Sequence, residues 1–383
     1  MKTSRGILGT LAQAVALTML PLAASAQTSI FHLVPTPNQY PINNTLYASS
    51  ASSPNDIWAV GNTTIHFDGR RWKVFPAAGA TDNSTDYLRG VLDFSPTLAW
   101  AGGGGDDQGQ IIDQWNGQEW ERLQGLPFPP EWLPYVYTLS GTSPNDIWVT
   151  GSIDVDGSFQ LFFEHWDGQS WGNIGYLPGG VGILYGASQD TPNDAWAVGN
   201  QIISYNTYRL VMHYEGGTTW YNLNVPFPPG ASGLYGILAL TPNNVWAVGW
   251  QNPSGNLEFF TNLPLIYHFD GTNWTIVPSP GKPGTTLIGI VANSANDMYA
   301  FGFYTGPNEY GSYTLLFHWD GHVWKGIPSP NPKNDPNYIY NQLLAGVVPS
   351  PGNVWIFGQQ WTSPPSHCTD CTLAMHTATG ASP

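Results

Sequence analysis

Apolar runs of strand length alternate with polar turns along the chain, and one pattern of this kind recurs. At 53–61 a Ser-Pro-Asn turn precedes an apolar run that contains Trp and ends at Gly. Close copies stand at 143–151, 191–199 and 241–249, and looser copies stand at 98–102, 296–302 and 352–358. Seven copies predict seven structural units, each of which must bury its apolar faces against its neighbours.

Each unit is predicted to contain four short strands. In the first unit they fall at 46–50, 57–60, 64–67 and 72–75, separated in part by a Pro-Asn-Asp turn and an Asp-Gly hairpin. The second strand reads Ile-Trp-Ala-Val, so it is apolar on both faces and must be covered on both sides. Sheets stacked around an axis provide this cover. We therefore expect an all-β fold, a single seven-bladed β-propeller of four-stranded blades.

The two ends of the chain are predicted to meet in the last blade. After Trp355 the sequence reaches 373–376, which matches a third strand, and no fourth strand follows. Residues 31–37 match the fourth-strand sequence at 274–280. We expect this N-terminal strand to complete the last blade and close the ring, which removes exposed sheet edges. Residues 27–383 would then form one domain.

The order of elements within a unit resembles that of kelch-type and tectonin-type propellers. The shared order is strand and Gly, a loop, an aromatic residue and Asp, a short gap and Trp, as at 266–274 and 316–324. Successive units are spaced by about 50 residues, near the kelch period. Val-Gly or Phe-Gly stands where kelch repeats carry a double Gly. The resemblance implies a bacterial secreted repeat protein of the broad propeller class.

The first 26 residues predict a secretory signal peptide. Lys2 and Arg5 precede an apolar run at 8–22, and small residues at 24–26 provide a cleavage site. Cleavage near Ala26 would deliver a secreted, extracellular protein. No later stretch approaches the ~20 apolar residues of a membrane helix, so no membrane span is expected.

The net charge of the chain limits the kinds of molecule that the protein is expected to bind. The chain has 11 basic and 26 acidic side chains and a formal net charge of −15. Removal of Lys2 and Arg5 with the signal peptide would leave 9 basic side chains and a charge of −17. An acidic surface of this kind disfavours nucleic acid and anionic lipid as partners.

The repeated His and Trp positions are predicted to be structural. Six of the nine histidines share one strand register, with Gln114 in the seventh place: His66, His165, His213, His268, His318 and His376. We expect local hydrogen bonds there, because seven separate blades hold these rings too far apart to share a metal. A core position is expected for Trp58, Trp72, Trp148, Trp171, Trp196, Trp246, Trp274 and Trp324.

Two groups of loop residues, the cysteines and the clustered carboxylates, could form a disulfide or bind a metal. Cys368 and Cys371 lie near His376 and could bind a metal, but an exported chain with one Cys pair favours a disulfide between them, with free thiols as a further alternative. Carboxylates at 106–107 and 154–156 could hold Ca²⁺, although Asp beside Gly is ordinary turn chemistry. We therefore expect no cofactor and no metal site, with Ca²⁺ as the alternative.

The sequence contains no Gly-x-Ser-x-Gly, HExxH or P-loop motif, so no catalytic residue is predicted. An extracellular glycoside hydrolase or lyase is the alternative. It would use a pair of loop carboxylates from among Asp107, Asp156, Glu258 and Glu309. A structural envelope protein is the third hypothesis.

Variation along the chain indicates where a ligand would bind. The turns between strands one and two and between strands three and four are nearly constant, whereas the other links are long, irregular and aromatic. Functional residues usually lie on such loops over a rigid scaffold. These links and their strand ends supply Trp132, Trp250, Tyr304 and Trp361 as candidate ligand-binding residues.

Alignment of the innermost strands on the Pro-Asn-Asp turn places seven residues at one level of the ring: Tyr47, Arg89, Tyr137, Tyr185, Tyr235, Ile288 and Leu344. The four tyrosines and Arg89 would line the mouth of a central pocket, and packing between blades is the alternative for each Tyr. Burial of a scarce Arg without a function would be costly. Aromatic faces with hydroxyl groups suit sugars and other uncharged polar ligands. We expect a monomeric, non-catalytic binding module for a glycan or an extracellular protein.

Overall fold

Strands make up most of the chain, together with a short 3-10 helix at Phe259–Thr261. The structure is a computed structural model that describes residues 29–39, 43–78, 87–105, 109–123, 126, 128, 132–155, 157–203, 206–255, 259–305, 311–332, 339–361 and 370–377. Within these residues, no helix has the length and apolar character needed to cross a bilayer. The predicted signal peptide lies outside the described residues.

The strands follow the four-strand rhythm of the sequence repeat. The first nine are β1 (Phe31–Leu33), β2 (Leu46–Ser53), β3 (Asp56–Gly61), β4 (Thr64–Phe67), β5 (Trp72–Val74), β6 (Tyr87–Ser95), β7 (Leu98–Gly105), β8 (Gly109–Trp115) and β9 (Trp120–Arg122). The next seven are β10 (Leu133–Ser143), β11 (Asp146–Val155), β12 (Ser158–Trp166), β13 (Trp171–Thr191), β14 (Asp194–Ile203), β15 (Asn206–Tyr214) and β16 (Trp220–Asn222). The last eleven are β17 (Ala231–Thr241), β18 (Asn244–Asn252), β19 (Leu263–Phe269), β20 (Trp274–Ile276), β21 (Thr285–Ser294), β22 (Asp297–Thr305), β23 (Ser312–Trp319), β24 (Trp324–Ile327), β25 (Asn341–Ser350), β26 (Asn353–Trp361) and β27 (Asp370–Thr377).

Antiparallel pairing joins these strands into sheets that repeat one unit. Four sheets contain four consecutive strands each, namely β2–β5, β6–β9, β17–β20 and β21–β24. A seven-stranded sheet runs from β10 to β16. Its strand β13 is 21 residues long and pairs with β12 through its first part and with β14 through its last part. This sheet therefore holds two four-strand units that share β13.

The remaining sheet contains both ends of the described chain. Its strand order is β1-β27-β26-β25, so the N-terminal strand takes the outer position beside the C-terminal strand. Phe31 stands opposite Thr377 and Leu33 opposite Met375, and the N–H of Val34 continues the pairing by donating to the carbonyl oxygen of Ala374 at 2.9 Å. Phe31 is only 2% exposed, so β1 is anchored by core packing as well as by backbone hydrogen bonds.

Apolar side chains fill the spaces between consecutive units. Among the described residues, seven hydrophobic clusters each combine side chains from two units. One of them packs Leu46 and Ile57 of the first unit against Trp355 and Phe357 of the last. Both faces of each unit are thus covered, which explains why the second strand is apolar on both sides.

Most of the repeated tryptophans lie inside these clusters, as predicted. Trp58, Trp148, Trp196, Trp246, Trp274 and Trp324 are buried, while Trp72 and Trp171 are half-buried and pack against neighbouring clusters. Burial of one Trp removes ~150–250 Å² of surface from water, which stabilises the fold by up to about 5 kcal/mol. The tryptophans are therefore a major source of cohesion between units.

We call the end of each unit that carries the Pro-Asn-Asp and Asp-Gly turns the turn end, and the opposite end the loop end. At the turn end the six repeated histidines each stack on an aromatic ring, with centroids 3.6–4.9 Å apart: Trp58–His66, Trp148–His165, Trp196–His213, Trp246–His268, Tyr299–His318 and Trp355–His376. Each Nε2 also lies 2.6–3.1 Å from a side-chain oxygen of the turn: Asp56, Asp146, Asp194, Asn244, Asp297 and Asn353. The prediction that these histidines are structural is confirmed.

The Asp-Gly hairpins of the turn end are tight for a stereochemical reason. Gly271 has a φ of 90°, and a Cβ at this position would also lie 2.9 Å from the Cβ of Asn243. Asp270 Oδ1 accepts the backbone N–H groups of Asn273 and Thr272 at 2.8 and 2.9 Å. These hydrogen bonds lower the pKa of the Asp270 carboxyl group. The hairpin is therefore short, and Asp270 satisfies two of its backbone N–H groups.

Candidate ligand-binding site

A β-bulge interrupts the innermost strand of every unit. At each bulge the register with the second strand shifts by one residue, so one residue is left out of the pairing: Tyr47, Arg89, Tyr137, Tyr185, Tyr235, Ile288 and Leu344. Leu or Val precedes this residue and Gly, Ala or Thr follows it. A bulge bends the strand and re-aims the side chain of the extra residue.

All seven bulge residues line one cavity of about 210 Å³, which we call the central cavity. The prediction that these seven side chains share one level is confirmed. Small residues follow the bulge because neighbouring innermost strands approach closely. A Cβ added to Gly186 would lie 2.5 Å from the carbonyl oxygen of Tyr235 in the next unit.

The wall of the central cavity has an aromatic side and an aliphatic side. Tyr137 and Tyr185 meet edge to face at 5.3 Å between ring centroids, and Tyr185 and Tyr235 do so at 5.0 Å. Ile288 and Leu344 provide the aliphatic part. A ligand with one apolar face and several polar groups matches such a wall.

Arg89 is the one charged residue among the side chains that line the central cavity. Its guanidinium carbon lies 4.6 Å from the ring centroid of Tyr47, 4.7 Å from that of Tyr87 and 5.0 Å from that of Tyr137. Its Nε is buried and has no hydrogen-bond partner among the described residues. Among the described residues, aromatic faces hold this cation through cation–π attraction.

Three tyrosines of the cavity remain neutral at physiological pH. Burial is the main cause that raises the pKa of Tyr137, Tyr185 and Tyr235 above the usual value for a phenol. Their hydroxyl groups therefore keep their protons and can donate as well as accept hydrogen bonds. With the permanently charged Arg89, the cavity is rich in donors.

A second cavity adjoins the first at the loop end. It measures about 660 Å³ and lies between the first and last sheets, and we call it the junction groove. Its lining comprises Asn43, Thr45, Tyr47, Asn62, Tyr340, Gln359, Trp361 and Asp370. Tyr47 lines both cavities, so they are neighbours. Burial raises the pKa of the Asp370 carboxyl group.

The four predicted aromatic candidates outside the bulges lie in different places. Trp361 lines the junction groove. Trp250 is 5% exposed, and a Cβ on Gly233 would lie 2.7 Å from its Nε1, so its ring is packed inside the protein. Tyr304 stacks on Tyr313 at 5.1 Å with the Lys282 ammonium 3.8 Å from its centroid, and Trp132 packs near Phe128 at 6.4 Å. A ligand-binding role for each of the four stays a prediction.

Sequence reasoning missed several residues of the site. Tyr87 contributes a face to the Arg89 cage, and its only sequence signal is its place two residues earlier on the same strand. The junction groove was missed because its polar side chains come from opposite ends of the chain. Thr45, for example, donates to Gln359 Oε1 at 2.6 Å across 314 residues of sequence.

Most of the carboxylates and cysteines that could form a catalytic pair or a metal site lie outside the described residues. Asp107, Asp156, Glu258, Glu309 and Cys368 lie outside the part of the chain that the structure describes. Cys371 is 5% exposed and is not a free cysteine, and its pairing with Cys368 stays a prediction. Asp154 Oδ1 accepts the N–H of Gly157 at 2.8 Å, which is turn chemistry. Within the described ranges, no group of three or more His, Cys, Asp or Glu side chains is placed to hold a metal.

Comparison with known proteins shows the fold. No family model and no curated protein matches the sequence. Among solved structures, YCF48 bound to D1 peptide superimposes with a TM-score of 0.57 at 15% identity, covering 94% of this chain and 100% of that chain. The WD40 β-propeller domain of Doa1 gives 0.54 at 11% identity, with 91% and 97% covered. The BP39L lectin from Burkholderia pseudomallei gives 0.54 at 15% identity, with 84% and 93% covered. The chain is an all-β protein of the propeller fold, as the sequence predicts.

Proposed function

We propose that this protein is a secreted, monomeric, non-catalytic binding module that holds a glycan in the central cavity and the junction groove. The scaffold in this proposal is a closed ring of seven blades, with the seven-stranded sheet counted as two and β1 completing the last. The disulfide and the closer kinship with kelch-type and tectonin-type propellers remain predictions that belong to this picture.

Two observations support the ring of seven. Every one of the seven innermost strands contributes its bulge residue to the same cavity, which is the geometry of strands arranged around one axis. The hydrophobic cluster between the first and last sheets resembles those between other neighbouring units. Closure of this kind removes the strand edges through which sheets aggregate.

The observation that carries the proposed function is the convergence of four tyrosines and Arg89 on one cavity. A purely structural axis would be filled by apolar side chains, whereas these bring hydroxyl groups and a cation that has no ion-pair partner in the described residues. Aromatic faces stack against the C–H faces of sugar rings, and polar tips bind their hydroxyl groups.

The junction groove favours a glycan over a protein partner. It places side-chain amides and the Asp370 carboxyl group beside the rings of Trp361 and Tyr340. The amide and carboxyl groups can bind neighbouring hydroxyl groups of a sugar while the indole covers the apolar face of the sugar. One similar structure carries a peptide and another is a lectin, so the choice between these ligands rests on the lining residues of this chain.

A glycan array probed with the mature protein, residues 27–383, tests the proposal. We expect binding to a restricted set of glycans and a loss of about tenfold or more in affinity for Tyr185→Ala. Tyr221→Ala is the matched control, because Tyr221 is 51% exposed on the outer strand β16 and does not line the cavity.

The result has two clear contrary outcomes. Failure of the folded protein to bind any glycan would refute the proposal, provided that thermal unfolding shows a cooperative transition. An equal loss of binding in Tyr185→Ala and Tyr221→Ala would move the ligand away from the central cavity.

A further inference from the structure

The central cavity carries a net positive charge in an acidic protein. The whole chain has a formal charge of −15, yet the one charged side chain among the cavity lining is Arg89. Two cations outside the cavity have ion-pair partners: Lys73 lies 2.7 Å from Asp68, and Arg122 lies 2.5 Å from Asp113. Arg89 has no such partner among the described residues, although acidic residues outnumber basic ones more than two to one.

The hydrogen-bonding groups around Arg89 are complementary to an acceptor-rich anion. A guanidinium offers five N–H donors in a planar fork that matches a carboxylate. The neighbouring Tyr137, Tyr185 and Tyr235 are kept protonated by burial and can donate further O–H bonds. Charge-assisted bonds of this type are about twice as strong as neutral ones.

We infer that the cavity selects an acidic sugar, with the carboxylate of a uronic acid-type residue paired to Arg89. This inference rests on the proposed glycan-binding function and narrows it, since the tyrosines alone would suit an uncharged sugar. The cavity volume of about 210 Å³ fits one small ring rather than a long ligand, so the acidic residue would occupy a terminal position.

The rest of the glycan would leave the cavity past Tyr47 into the junction groove. Tyr47 lines both spaces, and the groove is about 660 Å³ against about 210 Å³ for the central cavity. The groove contains the carboxyl group of Asp370, which would repel a second acidic residue. We therefore expect the following sugars to be neutral.

A carboxylate could also come from the C-terminus of a peptide, and the lining argues against this source. The aliphatic wall of Ile288 and Leu344 faces a donor-rich aromatic wall, which matches the two-sided character of a pyranose ring. The side-chain amides of Asn43 and Asn62 in the groove suit ring hydroxyl groups.

Calorimetric titration of the wild-type protein with ligand pairs that differ only at one group provides the test. Three compounds are compared in this way. They are an oligosaccharide ending in glucuronic acid, the same compound with that acid converted to its uncharged amide, and the same compound ending in glucose. Galacturonic acid analogues form a second series. We expect the acid to bind about ten- to a hundredfold more tightly than its amide, with an advantage that shrinks as salt is raised.

Variants assign the effect to Arg89. Arg89→Gln should lose the preference for the acid over its amide, and Arg89→Lys should recover part of that preference because the charge returns without the planar fork. Arg70→Gln is the matched control, since Arg70 is an exposed residue of a turn-end hairpin and its removal changes the net charge equally.

The outcomes separate this inference from the proposed function. Equal affinity of wild type for acid, amide and glucose would overturn the acidic-sugar inference and leave glycan binding intact. Absence of binding to every sugar would overturn both. Tight binding of a peptide with a free C-terminal carboxylate, lost on amidation and absent for the sugar acids, would replace the sugar by a peptide.

Discussion

The turn end and the loop end of each unit use the same backbone device for opposite purposes. The innermost strand has a second register shift next to the Pro-Asn-Asp turn, so an extra residue occurs at both ends. In three units the extra residue at the turn end closes a local hydrogen bond: Ser52 donates to Asp56, Thr142 to Asp146 and, at 2.9 Å, Asn293 to Asp297. At the loop end the extra residue lines the central cavity.

The difference shows how polar groups divide between stability and binding. At the turn end, the repeated histidines and the aspartates of the turn hydrogen-bond to one another, as in His66–Asp56 and His165–Asp146, which is the normal state of buried polar groups. At the loop end, the guanidinium of Arg89 lies over aromatic rings and its Nε has no partner within the described residues. A polar group left open beside a cavity has capacity for a ligand, whereas a satisfied one does not.

Removal of the N-terminal strand should have the largest effect, because this strand completes the sheet that contains both ends of the described chain. Deletion of residues 27–37 exposes the edge of β27 and removes Phe31 from its cluster. We expect loss of cooperative unfolding or aggregation of the purified protein, measured by circular dichroism and light scattering.

Point substitutions in the same strand check this result. Phe31→Ala should lower the free energy of unfolding by about 3–5 kcal/mol. Leu33→Ala should change it far less, since Leu33 is 42% exposed. A deletion variant that unfolds at the wild-type temperature would contradict the proposed closure.

Substitution of a turn-end tryptophan should separate stability from binding. Trp196 is fully buried, stacks on His213 and donates to Asp194 Oδ1 at 2.7 Å. Trp196→Ala should lower the free energy of unfolding by about 3–5 kcal/mol, measured by chemical denaturation. Where the variant remains folded, its affinity for the glycan should stay within about twofold of wild type.

Tyr185→Ala should show the reverse balance, with a smaller loss of stability and a large loss of affinity. If Trp196→Ala weakens binding as much as Tyr185→Ala does, the two ends are not independent.

Glu164 allows a test of whether every unsatisfied group is functional. It is fully buried, neither carboxyl oxygen has a hydrogen-bond partner among the described residues, and it lines none of the cavities described above. Its position before His165 corresponds to that of Met212 before His213. Glu164→Met should therefore stabilise the protein by about 1–3 kcal/mol without altering ligand binding.

The gain from Glu164→Met should depend on pH. Burial raises the pKa of Glu164 to about 8, above the value of about 4.3 in the unfolded chain. The native state therefore holds the proton more tightly, and wild-type stability from this group is lost as pH rises between these values. Urea unfolding at pH 5 and pH 8 should show the larger gain at pH 8, and an equal gain at both would contradict this assignment.

His376 should give the smallest effect, with the opposite sign. Burial lowers its pKa to about 4, and the unfolded value is about 6.5. The unfolded state then binds more protons, so this group's contribution is present above pH 6.5 and is lost as pH falls toward 4. His376→Gln should reduce the acid sensitivity by on the order of 1 kcal/mol, and urea unfolding at pH 7 and pH 5 measures it. An unchanged pH dependence would show that His376 does not titrate in this range.

The sequence predicts the scaffold well because its signals are local and repeated. Turn chemistry, the apolar second strand and the common register of the histidines each concern residues close in sequence, and the structure confirms the strands and the local hydrogen bonds of the histidines. The level of the seven cavity residues was also predictable, because counting from a constant turn is reliable when every unit has the same bulge.

The remainder of the site was less predictable for physical reasons. Trp250 lies at an aromatic strand end, and the local sequence does not indicate that its ring is buried beside Gly233. The junction groove combines Asn43 with Asp370, whose proximity depends on pairing between chain ends. No local pattern encodes such a contact.

The bulge at the loop end has a consequence for how new specificities could arise. Because the extra residue is excluded from strand pairing, its identity is largely uncoupled from the sheet that carries it. Tyr, Arg, Ile and Leu already occupy this place in different units of one chain. Seven exchangeable positions that line one cavity thus form a natural template for selecting variants that recognise other small molecules.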